Sequence, residues 1–158
     1  MFWSAQILGG FTGASLVWLV YMPHWKVTPD AEAKLAVFCN VPAIRNLPAN
    51  LMTEIIATTC LIVVGFSFGN PAVLTTGIPI GLGPWLLGVL VWAIGLGLGG
   101  PTGYAINRAR DFGPRVARAI LPISDKGSSD WGYALVPIIG PLIAGGISAA
   151  IIKQAGIR

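Results

Sequence analysis

The chain has 158 residues, 54% of them hydrophobic and 10% charged, with a mean hydropathy of +0.75. A soluble domain typically carries about 25% charged residues, so this composition excludes an ordinary water-soluble fold. The net charge of +4 does not point to nucleic acid, because five of the ten basic residues (Arg108, Arg110, Arg115, Arg118 and Lys126) fall in one segment between apolar spans and no basic face interleaved with aromatics exists.

Taken in order, the first apolar span covers about residues 3–22 and is ended by Pro23, with Trp18, Tyr21 and Trp25 suited to the membrane–water interface. The start Met1-Phe2-Trp3-Ser4 has no basic n-region, and Gly9-x-x-x-Gly13 and Gly10-x-x-x-Ala14 allow close helix approach, so this segment reads as a packed span rather than a cleaved signal. Residues 23–48 form a polar loop with His24, Lys26, Asp30, Glu32, Lys34 and Arg45. The second span, about 50–68, holds one acid, Glu54, and ends at Gly69-Asn70-Pro71. An uncharged, turn-rich loop follows over 69–80; Asn70-Pro71-Ala72 within it is read as carrying no pore chemistry. The third span, 82–98, is dense in glycine (Gly88, Gly95, Gly97), and the fourth covers about 133–152. Each span matches the roughly 20 residues, range about 17–25, that cross a bilayer core.

Cys39 and Cys60 share no CxxC spacing and no cluster with His24, so neither a disulfide framework nor a zinc site is expected, and no metal or cofactor. Loop counts of Lys and Arg would place the two long loops in the cytoplasm. That rule is set aside because the arginines of 108–118 are expected inside the protein rather than in solvated loop. No internal repeat is visible.

The run from Gly99 to Arg115 carries the chemistry. Gly99, Gly100, Pro101 and Gly103 oppose helix, so 99–106 is expected to be extended, and 107–119 to be a short half-helix. Asn107 is a good N-cap, and Asp111 in the first turn complements the positive helix end. In lipid a broken backbone is tolerated only where it is buried in protein or lines a wet cavity. The carbonyls of Gly103, Tyr104, Ala105 and Ile106 would then form a ladder of acceptors for a hydroxyl-bearing solute. The half-helix N-terminus and Arg110 would together repel cations and protons. Selective passage of something small and uncharged is the function these residues suggest.

The segment Gly103-Tyr104-Ala105-Ile106-Asn107-Arg108-Ala109-Arg110-Asp111-Phe112-Gly113-Pro114-Arg115 resembles the second signature loop of the major intrinsic proteins, the aquaporin family. Asp111, Arg115 and Pro141-Leu142 resemble its glycerol-facilitator branch, the aquaglyceroporins. Gln6 with Gly9-Gly10-Phe11 is similar to the family's third helix, and Glu54 matches the buried acid of its fourth. The resemblance implies an all-α membrane protein with a partial aquaporin-like fold: four transmembrane helices plus one re-entrant half-helix in a single membrane domain, 1–158. In it 3–22 corresponds to the third helix and 50–153 to the second inverted repeat. It implies Arg110 as the selectivity-filter arginine, Tyr104 as an aromatic filter wall and Gly95 as the small position that widens the path. Asn107 would donate its amide to solute, and Glu54 would accept loop N–H groups, with Gln6 and Asp111 as further support of the pore loop.

The function so implied is a passive channel for glycerol, water and other small uncharged solutes in the cell membrane, multi-pass, assembling as a homo-oligomer (a tetramer if complete). Two departures stand out. Arg108 occupies the place where the family has Pro, and the first two helices and first half-helix are not matched, so Met1 is expected to be an internal methionine or the gene to be disrupted. The alternative is a non-conducting fragment, or an interaction module that joins full-length subunits. An enzyme is not expected, because Glu54, His24 and Asp111 share no spacing that builds an acid–base or metal pair.

Overall fold

The structure, a computed structural model, describes residues 1–71, 77–79 and 81–157. Part of the 69–80 loop, including Ala72 of the Asn70-Pro71-Ala72 triplet, and Arg158 lie outside the described residues. The helices are α1 (Phe2–Val20), α2 (His24–Val27), α3 (Ala31–Ala36), α4 (Leu47–Ser67), α5 (Leu82–Leu98), α6 (Arg108–Ile120) and α7 (Leu135–Gln154). By length and hydropathy α1, α4 and α7 can cross a membrane, and α5 is a shorter apolar helix of 17 residues. At 1.5 Å per residue α5 reaches roughly 25 Å, at the short end of what spans a bilayer core.

Local chemistry sets the boundaries. Asn46 accepts from the Ala49 amide at 3.2 Å, and Pro48 follows in the first turn, where its missing N–H costs nothing. Asn107 caps α6 by accepting from the Ala109 amide at 2.9 Å. At the other end of α6, Lys126 Nζ donates to the carbonyls of Arg118, Ala119 and Leu121 at 2.8, 2.9 and 2.7 Å. An ammonium with its three donors thus closes a helix end whose carbonyls have no partner in the helix.

The helices pack as two units, α4 against α7 and α5, and α1 against α6, joined where α6 meets α7. The α1–α6 crossing depends on Gly113. A Cβ there would lie 2.6 Å from the Ile7 carbonyl oxygen and 2.9 Å from the Phe11 nitrogen, both backbone atoms. Gly10 lies at the same crossing and Ala14 is buried, whereas Gly9 and Gly13 have open space around them. Only one register of the small-residue pattern is therefore used against α6.

The 23–48 loop is more ordered than expected, because Asp30 caps α3 through the Glu32 amide at 2.8 Å and α2 sits at the end of α1. Trp25 donates to the Trp18 carbonyl at 2.9 Å and joins Phe38, Cys39, Ala14, Ala117 and Ile123 in a small core over the ends of α1 and α6. Lys34, 2% exposed, reaches the Ser124 carbonyl. Arg115 and Arg118 are fully buried, which is why a count of loop charges does not report on a solvated loop here.

Gly113→Ala should force α1 away from α6, since backbone cannot yield, at a cost of about 1–3 kcal/mol. The expected result is a lower melting temperature in detergent. Gly9→Ala, with room for its methyl, should show no such loss.

Candidate functional site

The segment between α5 and α6 is not extended. It turns at residues 100–102, with the Gly103 amide donating to Gly99 at 2.7 Å, and then places Tyr104 and Ile106 in the left-handed region, both at φ 42°. The reason lies in Glu54 of α4, which is 1% exposed. Its Oε1 accepts from Thr102 Oγ1 at 2.7 Å and from the Ala105 amide at 3.0 Å, and its Oε2 accepts from the Ile106 amide at 2.9 Å. In an extended strand successive residues alternate sides, so two consecutive amides could not converge on one carboxylate. Each left-handed non-glycine residue costs about 1–3 kcal/mol, and charge-assisted bonds to a buried carboxylate offset that cost.

A second node forms around Asn40, in the loop before α4. Its side-chain Nδ2 donates to the carbonyls of Gly103 at 2.6 Å and Thr102 at 3.3 Å, and its amide donates to Asp111 Oδ1 at 2.7 Å. Its Oδ1 accepts from Arg110 Nη1. Asp111 is paired within α6 to Arg115, with Nε at 2.8 Å and Nη2 at 2.9 Å, both side chains fully buried. Arg115 Nη1 also donates to the carbonyls of Ser129 and Asp130 at 2.6 and 2.8 Å. Asp111 therefore serves the Asn40 amide and Arg115, rather than the α6 dipole alone.

Along this segment runs a groove of about 400 Å³. Tyr104, Ala105, Ile106, Asn107, Arg108 and Arg110 line it from the broken loop, and Leu61, Ile62, Val91 and Pro141 supply apolar surface. Among the described residues no hydrogen bond reaches the carbonyls of Tyr104, Ala105 or Ile106, whereas that of Gly103 is engaged by Asn40. The Asn107 Oδ1 is taken by its capping bond, which leaves Nδ2 as the free donor. Arg110 lies beside Tyr104, its guanidinium carbon 5.6 Å from the ring centroid.

Gly95 of α5 sits directly behind that ring, since a Cβ there would be 3.1 Å from Tyr104 Cζ, and so its missing side chain seats the tyrosine. Gln6 lines the groove from α1 and, among the described residues, makes no side-chain hydrogen bond to the loop. Sequence reasoning missed Asn40, Thr102 and Thr58. Asn40 carries no local signal, because its side-chain partners are 62 to 70 residues away.

Outside the spans, burial pushes the Cys39 thiol up to about 11, against a smaller opposing pull from Arg115. Asp130 is held below the usual carboxylate range, first by its hydrogen bonds from Arg45, at 2.8 and 2.9 Å. Among the described residues no group of His, Cys, Asp and Glu is placed to hold a metal.

Apolar helices of membrane-spanning length, packed around a half-helix that starts at a broken, carboxylate-held loop, define a multi-pass membrane protein of aquaporin-like architecture. The profile of the major intrinsic protein family matches residues 1–152, and the chain belongs to that family. It is 58% identical over 147 residues to the probable glycerol uptake facilitator protein of Thermotoga maritima, covering 93% of this chain and 61% of the relative. It is 49% identical over 148 residues to glycerol uptake facilitator protein 3 of Lactiplantibacillus plantarum, covering 94% of this chain and 60% of that protein. The X-ray structure of the aquaglyceroporin from Plasmodium falciparum matches 96% of this chain and 62% of its own, with a TM-score of 0.81 at 24% identity. The chain thus spans about three-fifths of the length of these relatives.

Asp111→Asn should leave Arg115 buried without its counter-charge, a loss of about 3–5 kcal/mol, visible as failure to yield monodisperse protein in detergent. Cys39 should resist alkylation at pH 8 in the folded protein and react on unfolding, because its thiol is buried and stays protonated well above the ordinary thiol value of 9.0. With the folded value raised, its contribution to stability is present below pH 9 and lost as pH rises towards 11.

Proposed function

We propose that the groove is one wall of a passive channel for glycerol and other small uncharged solutes, water included, completed by a counterpart of the part of its relatives that this chain does not span. The observation that carries the proposal is the Glu54-held loop. It gathers the amides of Ala105 and Ile106 on one side and leaves the carbonyls of Tyr104, Ala105 and Ile106, beside the groove, without donors among the described residues. Free carbonyls accept from solute hydroxyls, while Asn107 Nδ2 and Arg110 donate to solute oxygen. Leu61, Ile62, Val91 and Pro141 suit the carbon face of a polyol. Arg110 and the positive end of α6 disfavour cations and protons.

In this reading Arg110 and Tyr104 form part of the selectivity filter, and Gly95 sets its width through the seat of Tyr104. Glu54 and Asp111 support the loop, and Gln6 is a wall residue. Residues 50–153 act as the second inverted repeat, 3–22 as the third helix, and the assembly is a homo-oligomer. No chemical turnover is assigned: both buried acids are already engaged, Glu54 by backbone and Thr102, Asp111 by Arg115 and Asn40. The second reading, a module that joins full-length subunits without conducting, is favoured by α1, where only Ala14 is buried and Gly9 and Gly13 face open space.

The test is swelling of proteoliposomes that hold this chain joined to the part of the Thermotoga maritima relative it does not cover. Glycerol should enter faster than into empty vesicles, and Gly95→Phe should cut glycerol far more than water by driving Tyr104 into the path. Equal loss of both would count against the filter assignment. Absence of flux, with reduced flux when the chain is mixed into vesicles of an intact relative, would favour the second reading.

A further inference from the structure

Arg108 is the first residue of α6, and its side chain has no hydrogen bond and no carboxylate among the described residues. Its place makes that costly. The first turn of a helix carries about half a positive charge, which favours acids and repels a guanidinium. Arg110 follows two residues on with the same sign, and both arginines line the groove. A free cation so placed would lean away from the helix end and into the groove. One contact opposes this. The Arg108 guanidinium carbon lies over the Trp3 ring of α1, 3.3 Å from its centroid.

The crossing of α1 and α6 brings the two side chains together. A Cβ on Gly10 would lie 3.2 Å from Pro114 Cδ, so the helices are in close contact there. Trp3 stands seven residues before Gly10, about 10 Å of helix, and Arg108 six residues before Pro114, about 9 Å. The pair therefore meets one matched step away from a fixed crossing. Trp3 is 58% exposed, so what its ring supplies is the stack rather than burial. Gln6, three residues on, lines the groove, and Trp3 is not among the lining residues. The ring thus draws the guanidinium toward α1 and off the open side of the groove.

We propose that Trp3 is a positioning residue. Its ring holds the Arg108 guanidinium at the α1 edge, so that a second positive charge stands beside the groove without crossing it. The pairing is a property of this chain alone. Its consequence for passage, an unobstructed path for an uncharged solute, rests on the channel reading.

The test of the pair is a double-mutant cycle on the full chain, melted in detergent at neutral pH. Trp3→Leu should lower the melting temperature by about 2–4 °C, the scale of one such contact in a chain of this size. In an Arg108→Gln background the same change should cost almost nothing, because the partner charge is gone. Trp3→Phe keeps an aromatic face and should retain most of the stability. The test of the consequence is glycerol entry into vesicles of the chain joined to the Thermotoga maritima part. Trp3→Leu should slow entry several-fold, Trp3→Phe should not, and Trp3→Leu with Arg108→Gln should return most of it.

Equal loss of melting temperature from Trp3→Leu with and without the Arg108 charge would overturn the pair. Unchanged glycerol entry in Trp3→Leu, or slowed entry that Arg108→Gln does not return, would overturn the positioning role. No entry with the unaltered joined protein would remove the channel reading and with it the consequence for passage, while coupling in the cycle would sustain the pair.

Discussion

A carboxylate buried in an apolar helix holds the rest of this architecture in place. The chain between α5 and α6 breaks helix among apolar helices, where backbone amides turned into the protein need a partner inside it. Glu54 satisfies the donors of that break, taking one hydroxyl and two consecutive amides. Turning those amides to one side drives Tyr104 and Ile106 into the left-handed region and leaves their carbonyls on the other side. An acid this deep is costly alone. Here its charge is distributed over three donors, and the loop conformation exists because the acid is there. The strain in the loop and the desolvation of Glu54 are thus two costs met by the same set of bonds.

The basic residues of α6 follow the same logic with opposite sign. Arg115 gives five hydrogen bonds, to Asp111 and to the carbonyls of Asn40, Ser129 and Asp130. It therefore ties the half-helix to the loop before α4 and to the segment that leads into α7. Asn40 lies where these ties meet, touching Arg115, Asp111, Arg110 and the Gly103 carbonyl. Because one side chain contacts both Arg110 and the broken loop, the guanidinium and the carbonyls beside it are positioned together. Arg118 and Lys126 complete the other end of α6, each donating to backbone across it.

Much of this was legible from residue types. Long uncharged stretches gave the spans, and Asn before a polar segment marked the start of α6, because capping is a local matter of one side chain and the amide two residues on. Glu54 was conspicuous as the single acid in its span, yet its hydroxyl partner Thr102 lies 48 residues away and nothing local announces it. The extended reading of 99–106 failed for the same reason. Gly and Pro report what a backbone will not do, while the conformation it adopts was chosen by a carboxylate on another helix. Gly95 shows a subtler gap: a small residue on a helix signals close approach, but what approaches, here the Tyr104 ring, is a property of the tertiary fold. Asn40 was invisible because an asparagine in a polar loop is ordinary until its partners converge on it.

The electrostatic character of the groove is the last consequence of these allocations. The two buried acids nearest the half-helix are both consumed, Glu54 by the loop and Asp111 by Arg115 and Asn40, so neither appears in the lining. Arg108, Arg110 and the first turn of α6 do line it, and nothing of opposite sign faces them among the described residues. Low-dielectric walls lengthen the reach of such a field. The groove is therefore positive because its acids are turned into protein, to hold the backbone that shapes it. The positive character of the groove and the support of the broken loop are thus one arrangement of charge, and a change to either acid would alter both.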